Sequence, residues 1–217
     1  YVSIPDKNIY ELPRNLNMNE APIAEPCAVA LHAVELGEKG FSKPIENNKV
    51  LVIGAGAIGL LCGLILLKIK NCKDIVIVDT NDKRLKESLK YLNASGFKPN
   101  NTNIINDHFD IVFDTVGLEV TRHQAIKCIK PGGIIIHIGL TQPRGTFDFR
   151  KTTLQEITFI GTYCYTNKDF EKTLSILANK KIGSLDWIEY RQLKEGPSAF
   201  KEIHDGSCTA PKIILLI

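Results

Sequence analysis

No C-x-x-C pair occurs in this chain: the six cysteines stand singly at positions 27, 62, 72, 128, 164 and 208. Such spacing gives no support to a zinc finger or a structural-zinc lobe, and Cys62 and Cys128 sit where core thiols would. Long apolar runs are missing too. The longest, residues 57–67, is too short to cross a bilayer, so no membrane partner is expected. Charge of one sign is scarce: the net value is +3 and the lysines are scattered, which excludes a nucleic-acid partner from the expectations. Tyr1-Val2-Ser3-Ile4-Pro5-Asp6 lacks the basic start and apolar core of a signal peptide. Unpaired cysteines without such a leader point to a reducing cytoplasm. There is no internal repeat or low-complexity tract. What remains, 44% hydrophobic and 24% charged over 217 residues, suits a large α/β domain that buries roughly 70% of its unfolded surface.

The stretch from Lys49 to Asp79 organises the rest. Lys49-Val50-Leu51-Val52-Ile53 is β-branched and apolar and predicts a buried strand. It ends at Gly54-Ala55-Gly56-Ala57-Ile58-Gly59, a G-x-G-x-x-G turn that opens an apolar helix over 57–67. A second strand, Asp74-Ile75-Val76-Ile77-Val78, stops on Asp79, twenty residues beyond Gly59. That is the separation expected of a carboxylate that binds the ribose of NAD. Gly54 would turn the chain sharply, Gly56 would let a pyrophosphate approach the backbone, and Gly59 would let helix and sheet pack closely. The helix start offers N–H groups and a positive dipole end to the phosphates. Asp79 would accept both ribose hydroxyls and repel a 2′-phosphate.

The same alternation continues along the chain. A helix over 24–37 carries Pro26 in its first turn and Gly37 just past its end, with Glu25 near its positive pole. A second helix is capped near Asn81 or Asp82, with Leu85, Leu89 and Leu92 inward and Arg84 in its first turns. Residues 93–101 are expected as loop, 102–105 as a weak third strand and 109–114 as a fourth, ending in Thr115-Val116-Gly117. A helix over 119–129 is expected to turn Val120, Ile126 and Ile129 inward. Pro131-Gly132-Gly133 then leads into a strand that stops at Ile138-Gly139-Leu140. A sixth strand is placed at 158–163, a helix from a capping box at Thr166–Asp169, and further short elements at 187–193, 198–204 and 212–217. Tyr1–Pro5 has the pattern of a short strand. Alternating strands and helices mean a doubly wound parallel sheet of about six strands, the Rossmann type, whose ligands bind at the carboxyl ends.

Together these residues resemble the medium-chain dehydrogenase/reductases, specifically the zinc-type alcohol and polyol (sorbitol-like) dehydrogenases. The resemblance rests on Glu25-Pro26 with Ala30-Leu31-His32-Ala33, the glycine turn, Asp79, Asp114-Thr115-Val116-Gly117, Gly132-Gly133, Ile138-Gly139-Leu140, Gly161-Thr162-Tyr163-Cys164-Tyr165 and Ala199-Phe200…Pro211-Lys212. It implies NAD as cofactor, bound at Gly54, Gly56, Ile58, Gly59, Asp79, Arg84, Thr115 and Gly117. It further implies Ile138, Gly139 and Leu140 along the nicotinamide, and Thr162, Tyr163 and Cys164 at its amide. Tyr165 matches a substrate-side position, and Glu25 a carboxylate that touches substrate or coordinates the catalytic zinc. Remnants of a second, catalytic domain are implied at both ends, giving divisions at 1–27, 28–162 and 163–217. The activity implied is hydride transfer between NAD and a secondary alcohol or polyol, in a homodimer or tetramer joined through the sixth strand's edge.

The chain also departs from that pattern. The family's first zinc ligands, a Cys and a His-Glu pair, belong to an N-terminal domain expected upstream of Tyr1. Position 164 is Cys where sorbitol dehydrogenases carry Arg, which weighs against a sugar alcohol. His32, His108, His123, His137 and His204 have no partner at metal-ligand spacing, and His32 and His137 fit core or sheet-end roles. Two rival functions stand beside the first: a regulatory NAD-binding module without chemistry of its own, and a methyltransferase, whose sheet would end in an antiparallel strand.

Overall fold

The structure, a computed structural model, describes residues 2–41, 43–99 and 105–217. Six strands, β1 (Val50–Ile53), β2 (Ile75–Val78), β3 (Ser95–Phe97), β4 (Phe109–Asp114), β5 (Ile129–His137) and β6 (Thr158–Gly161), make one sheet. Every pairing is parallel and the order is β3-β2-β1-β4-β5-β6, so the strand order reverses between β1 and β4. Among the described residues no antiparallel strand closes the sheet, which removes the methyltransferase alternative.

The period-2 geometry of a strand sends alternate side chains to opposite faces. In β1, Val50 and Val52 join the larger core with α1 (Ala24–Lys39), α2 (Ala57–Lys68) and α6 (Asn167–Ala178). Leu51 and Ile53 join the smaller core with α4 (Glu119–Cys128). Both faces are thus covered, as parallel strands with four consecutive buried residues require. α2 is buried almost all round, from Gly59 to Leu66, which explains why its apolar residues show no one-sided stripe. α3 (Asp82–Leu89) and α5 (Phe149–Leu154) complete the wrapping of the sheet. A second, two-stranded parallel sheet, β7 (Ile188–Gln192) and β8 (Lys212–Leu216), with α7 (Gly196–His204) between them, forms the C-terminal end.

Five local expectations change. β3 lies at Ser95–Phe97, inside the stretch expected as loop; of the strand expected at 102–105, only Ile105 is among the described residues, and it is not in a strand. Ser-Gly-Phe carries no apolar alternation, yet Gly96 is what admits the pairing. A Cβ there would come within 2.8 Å of Leu89 and 3.1 Å of the Ile77 carbonyl. Gly37 does not end the first helix, which runs to Lys39; its lack of a Cβ instead serves the packing of α1 on β4, since a Cβ there would come within 3.3 Å of the Phe113 ring. Pro131-Gly132-Gly133 is absorbed into β5, with Gly132 at φ +71°. Val120 is 66% exposed rather than inward. Residues 2–5 form no strand, and Tyr1 lies outside the described residues.

Candidate functional site

Three glycines with three different surroundings make the turn at the tip of β1. Gly54 has φ +103°, and a Cβ on it would stand 2.5 Å from the Thr115 hydroxyl. Gly59 is pressed on the strand end: a Cβ would fall 1.9 Å from the Gly54 carbonyl oxygen. Gly56 differs from both, because a Cβ there would meet nothing within 4 Å. Its bareness leaves open space above the main chain rather than relieving an internal clash. Gly56 also starts α2 with no side chain capping the helix, so this end presents its N–H dipoles to that space.

Asp79 leaves the tip of β2, the direct neighbour of β1. Its Oδ2 accepts the Ala55 N–H at 2.8 Å and its Oδ1 the Asn81 N–H at 2.7 Å. The carboxylate is therefore anchored by main chain on the turn itself, and no arginine among the described residues pairs with it. The turn is braced from below as well: the Ser88 hydroxyl donates to the Ala55 carbonyl at 2.8 Å, and the Thr115 hydroxyl to the Ile53 carbonyl at 2.7 Å. The Thr115 side chain, expected to bind cofactor, is thus engaged by β1.

Two cavities open on this turn. One, of about 440 Å³, is lined by Gly54, Asp79, Arg84, Val116, Leu118 and Gln124, among others. The other, of about 370 Å³, runs from Gly56 and Ala57 past Arg84 to Phe200, Ile203 and Lys212. Arg84, which makes no ion pair among the described residues, borders both. Sequence spacing did not reveal the far walls. Leu118, Val120 and Gln124 enter because α4 starts beside the β1 tip, and Val120 is exposed for the same reason. Phe200, Ile203 and Lys212 come from more than a hundred residues downstream; Phe200 and Lys212 belong to the stretches that carry the resemblance, but no spacing put them beside this turn. The C-terminal end is pinned there by Asn81, which donates to the Gly206 carbonyl at 2.8 Å.

The remaining candidates gather at the carboxyl ends of β4, β5 and β6. Ile138 and Gly139 donate their main-chain N–H to the Asp114 carbonyl at 2.9 and 3.1 Å. Gly117, at φ +76°, interlocks with Gly139, since a Cβ on it would lie 2.0 Å from the Gly139 carbonyl oxygen. Leu140 is 76% exposed beyond them. Thr162 N–H donates to the His137 carbonyl at 3.0 Å, after which Tyr163 and Cys164 emerge into solvent, Cys164 with φ +53°. Ile58 stays half-buried, packed on the larger core.

Glu25 and Tyr165 form a separate corner. Tyr165 stacks on Phe170 (centroids 5.4 Å, 24°), which tilts against Tyr10 (4.7 Å). Burial and then the nearby Glu25 carboxylate push the Tyr165 phenol above its ordinary range. Glu25 is exposed, and among the described residues no three His, Cys, Asp or Glu come together to hold a metal. A zinc ion therefore does not fit the described residues alone. His32 Nδ1 donates to Asp169 Oδ2 at 2.9 Å and is part of the α6 cap, in keeping with a structural role.

Comparison with known proteins agrees with this arrangement. D-xylulose reductase A of Aspergillus oryzae is 28% identical over 219 residues, covering 95% of this chain and 60% of that protein. D-xylulose reductase of Saccharomyces cerevisiae is 27% identical, covering 89% and 56%. The chain thus spans about 60% of the length of the curated relatives it matches. Among solved structures, a short chain alcohol dehydrogenase from Escherichia coli CFT073, complexed with NADH, matches with TM-score 0.86 at 20% identity over 99% of this chain and 64% of that one. The family model described as zinc-binding dehydrogenase matches residues 57–179, from the first turn of α2 to the end of α6. With the glycine turn, the anchored acid and the parallel sheet already in place, that match makes the chain a member of the zinc-binding dehydrogenase family.

Proposed function

We propose that this chain is the NAD(H)-binding part of a zinc-type dehydrogenase that moves hydride between a nicotinamide and a secondary alcohol or polyol. The observation that carries the reading is the joint placement of Asp79 and the bare Gly56 turn. They sit on neighbouring strand tips, and the Ala55 N–H fixes the carboxylate at 2.8 Å. Each carboxylate oxygen accepts one main-chain N–H and keeps capacity for a ribose hydroxyl. A 2′-phosphate would meet the fixed negative charge instead. The diphosphate would lie over Gly56 at the α2 start, with Arg84 and Lys212 as the nearby cations. Val116, Gly117, Ile138, Gly139 and Leu140 would flank the nicotinamide, and Thr162, Tyr163 and Cys164 its amide. When bound, NAD supplies the hydride acceptor; the chain's own residues bind, orient and shield it. Glu25 and Tyr165 would face substrate, with zinc donors coming from outside the described residues. The NADH carried by the E. coli structural neighbour and the xylulose reductases among the relatives support this reading.

Its finer parts are proposals too: divisions at 1–27, 28–162 and 163–217; a reducing, cytoplasmic setting, supported by six free cysteines; and a homodimer or tetramer through the outer edge of β6. That strand's exposed residues, Phe159 among them, and its lack of an outer partner among the described residues support the last. Calorimetric titration tests the core of the proposal. NADH should bind at least about tenfold tighter than NADPH, and Asp79→Ser should erase the difference. Equal binding of the two by the unaltered chain would overturn it.

A further inference from the structure

Beneath the nicotinamide-side turns lies a buried ion that nucleotide binding does not itself require. Asp114, the last residue of β4, has no exposed surface. Its Oδ1 accepts the Val116 and Gly117 N–H groups at 3.0 and 2.9 Å, and its Oδ2 the Thr121 hydroxyl at 3.0 Å. The carboxylate therefore holds the shape of the turn after β4. Through the Gly117–Gly139 interlock it also sets the turn after β5: a Cβ on Gly139 would lie 2.1 Å from the Val116 carbonyl carbon. Neither turn has room to move without the other.

His137 is the register partner of Asp114 across β4 and β5. Its Nε2 stops 3.7 Å from Asp114 Oδ2, outside hydrogen-bond reach, and is buried with no hydrogen-bond partner among the described residues. Among the described residues Asp114 on β4 and Arg122 on α4 are the charged groups that act on the ring, and β6 brings Gly161 into register with it and Phe159 beside it, ring centroids 5.5 Å apart. Arg122 is held in place, donating to the carbonyls of Gly117, Gln142 and Arg144 at 3.1, 3.3 and 2.9 Å. Thus the ring feels one fixed cation and, at 3.7 Å, one buried carboxylate.

We propose that His137 is a positioning residue whose protonation, acting through Asp114, displaces the paired 116–117 and 138–140 turns and so weakens nucleotide binding as the pH falls. The inference rests on the nucleotide reading above. A buried, newly charged N–H without an acceptor is costly, and the acceptor in reach is Asp114 Oδ2. Closing that gap draws Oδ2 from Thr121 and turns Oδ1 off the Val116 and Gly117 amides. Burial, the largest influence, holds the imidazole below its ordinary range; Asp114 opposes it and Arg122 adds to it. The neutral ring is thus the resting form at neutral pH, and the change lies on the acid side.

Two measurements on the whole chain test this. In the ligand-free protein, the Val116 and Gly117 amide resonances should titrate together with the His137 imidazole, and should stay fixed over that range in His137→Gln. NADH affinity should fall by at least about fivefold between about pH 7.5 and about pH 5 in the unaltered chain, and stay nearly flat in His137→Gln. His108→Gln, just before β4 and in neither of the two cavities on the turn, should keep the fall. Amides that do not follow the imidazole, or an unchanged pH profile in His137→Gln, would overturn the inference. Failure to bind NADH at any pH would instead defeat the nucleotide reading, while the resonance titration still decided the role of His137.

Discussion

At the scale of single residues, two glycines of one turn should respond oppositely to the same change. Gly59→Ala drives a methyl to 1.9 Å from a main-chain oxygen that has no flexible end to yield. A loss of about 3 kcal/mol or more in denaturant unfolding is expected. Gly56→Ala meets open space at φ −75°, so stability should hold within about 0.5 kcal/mol. The methyl would occupy the room kept for a diphosphate, and NADH affinity should drop by about tenfold or more in calorimetry. The order of the three glycines was legible in the sequence because each job is a main-chain conformation or approach that only glycine allows. The Thr115 hydroxyl was not legible as a brace on Ile53, since nothing in Asp-Thr-Val-Gly says which strand a side chain will meet.

At the scale of an element, α6 is defined by its first turn. Thr166 accepts the Asp169 N–H at 3.2 Å, and Asp169 accepts the Thr166 N–H and hydroxyl together with a His32 contact. Burial works to raise the Asp169 carboxyl, yet the hydrogen bonds from Thr166 and His32 outweigh it and hold the group below the usual carboxylate range. The stability this gives is present above the ordinary carboxylate pKa and is lost as pH falls through the lowered one. Thr166→Ala should cost about 1 kcal/mol at neutral pH, and urea unfolding measured against pH should show Asp169→Asn removing part of the acid-side slope. The capping box was visible as a four-residue pattern. β3 was not, because Ser-Gly-Phe becomes a strand only when β2 supplies its partner and Leu89 closes over Gly96.

At the scale of the whole molecule, the thiols report how the chain is folded. Cys164 alone of the six is exposed; Cys27, Cys62, Cys72, Cys128 and Cys208 are buried. Burial pushes the Cys27 thiol up to about 12 and those of Cys72 and Cys128 up to about 11, so their thiolate forms are scarce at neutral pH. A disulfide reagent should modify one thiol per native chain quickly and the other five only after unfolding. Saturating NADH should slow the Cys164 reaction if that residue borders the nicotinamide. Light scattering at micromolar concentration should return twice or four times the chain mass, and a charge placed at Phe159 on the outer edge of β6 should shift the population towards monomer.

The sequence by itself determined the local grammar: buried strands from β-branched runs, the glycine turn, the acid at the end of the second strand, and the cap of α6. These depend on contacts within a few residues or on conformations open to one residue type. Tertiary structure decided what meets what across the chain. It brought Phe200 and Lys212 to the glycine turn, made Val120 a cavity wall rather than a core residue, and set His137 3.7 Å from a buried Asp114. Such pairings are fixed by the register of parallel strands and the packing of distant helices, and no spacing along the chain encodes them.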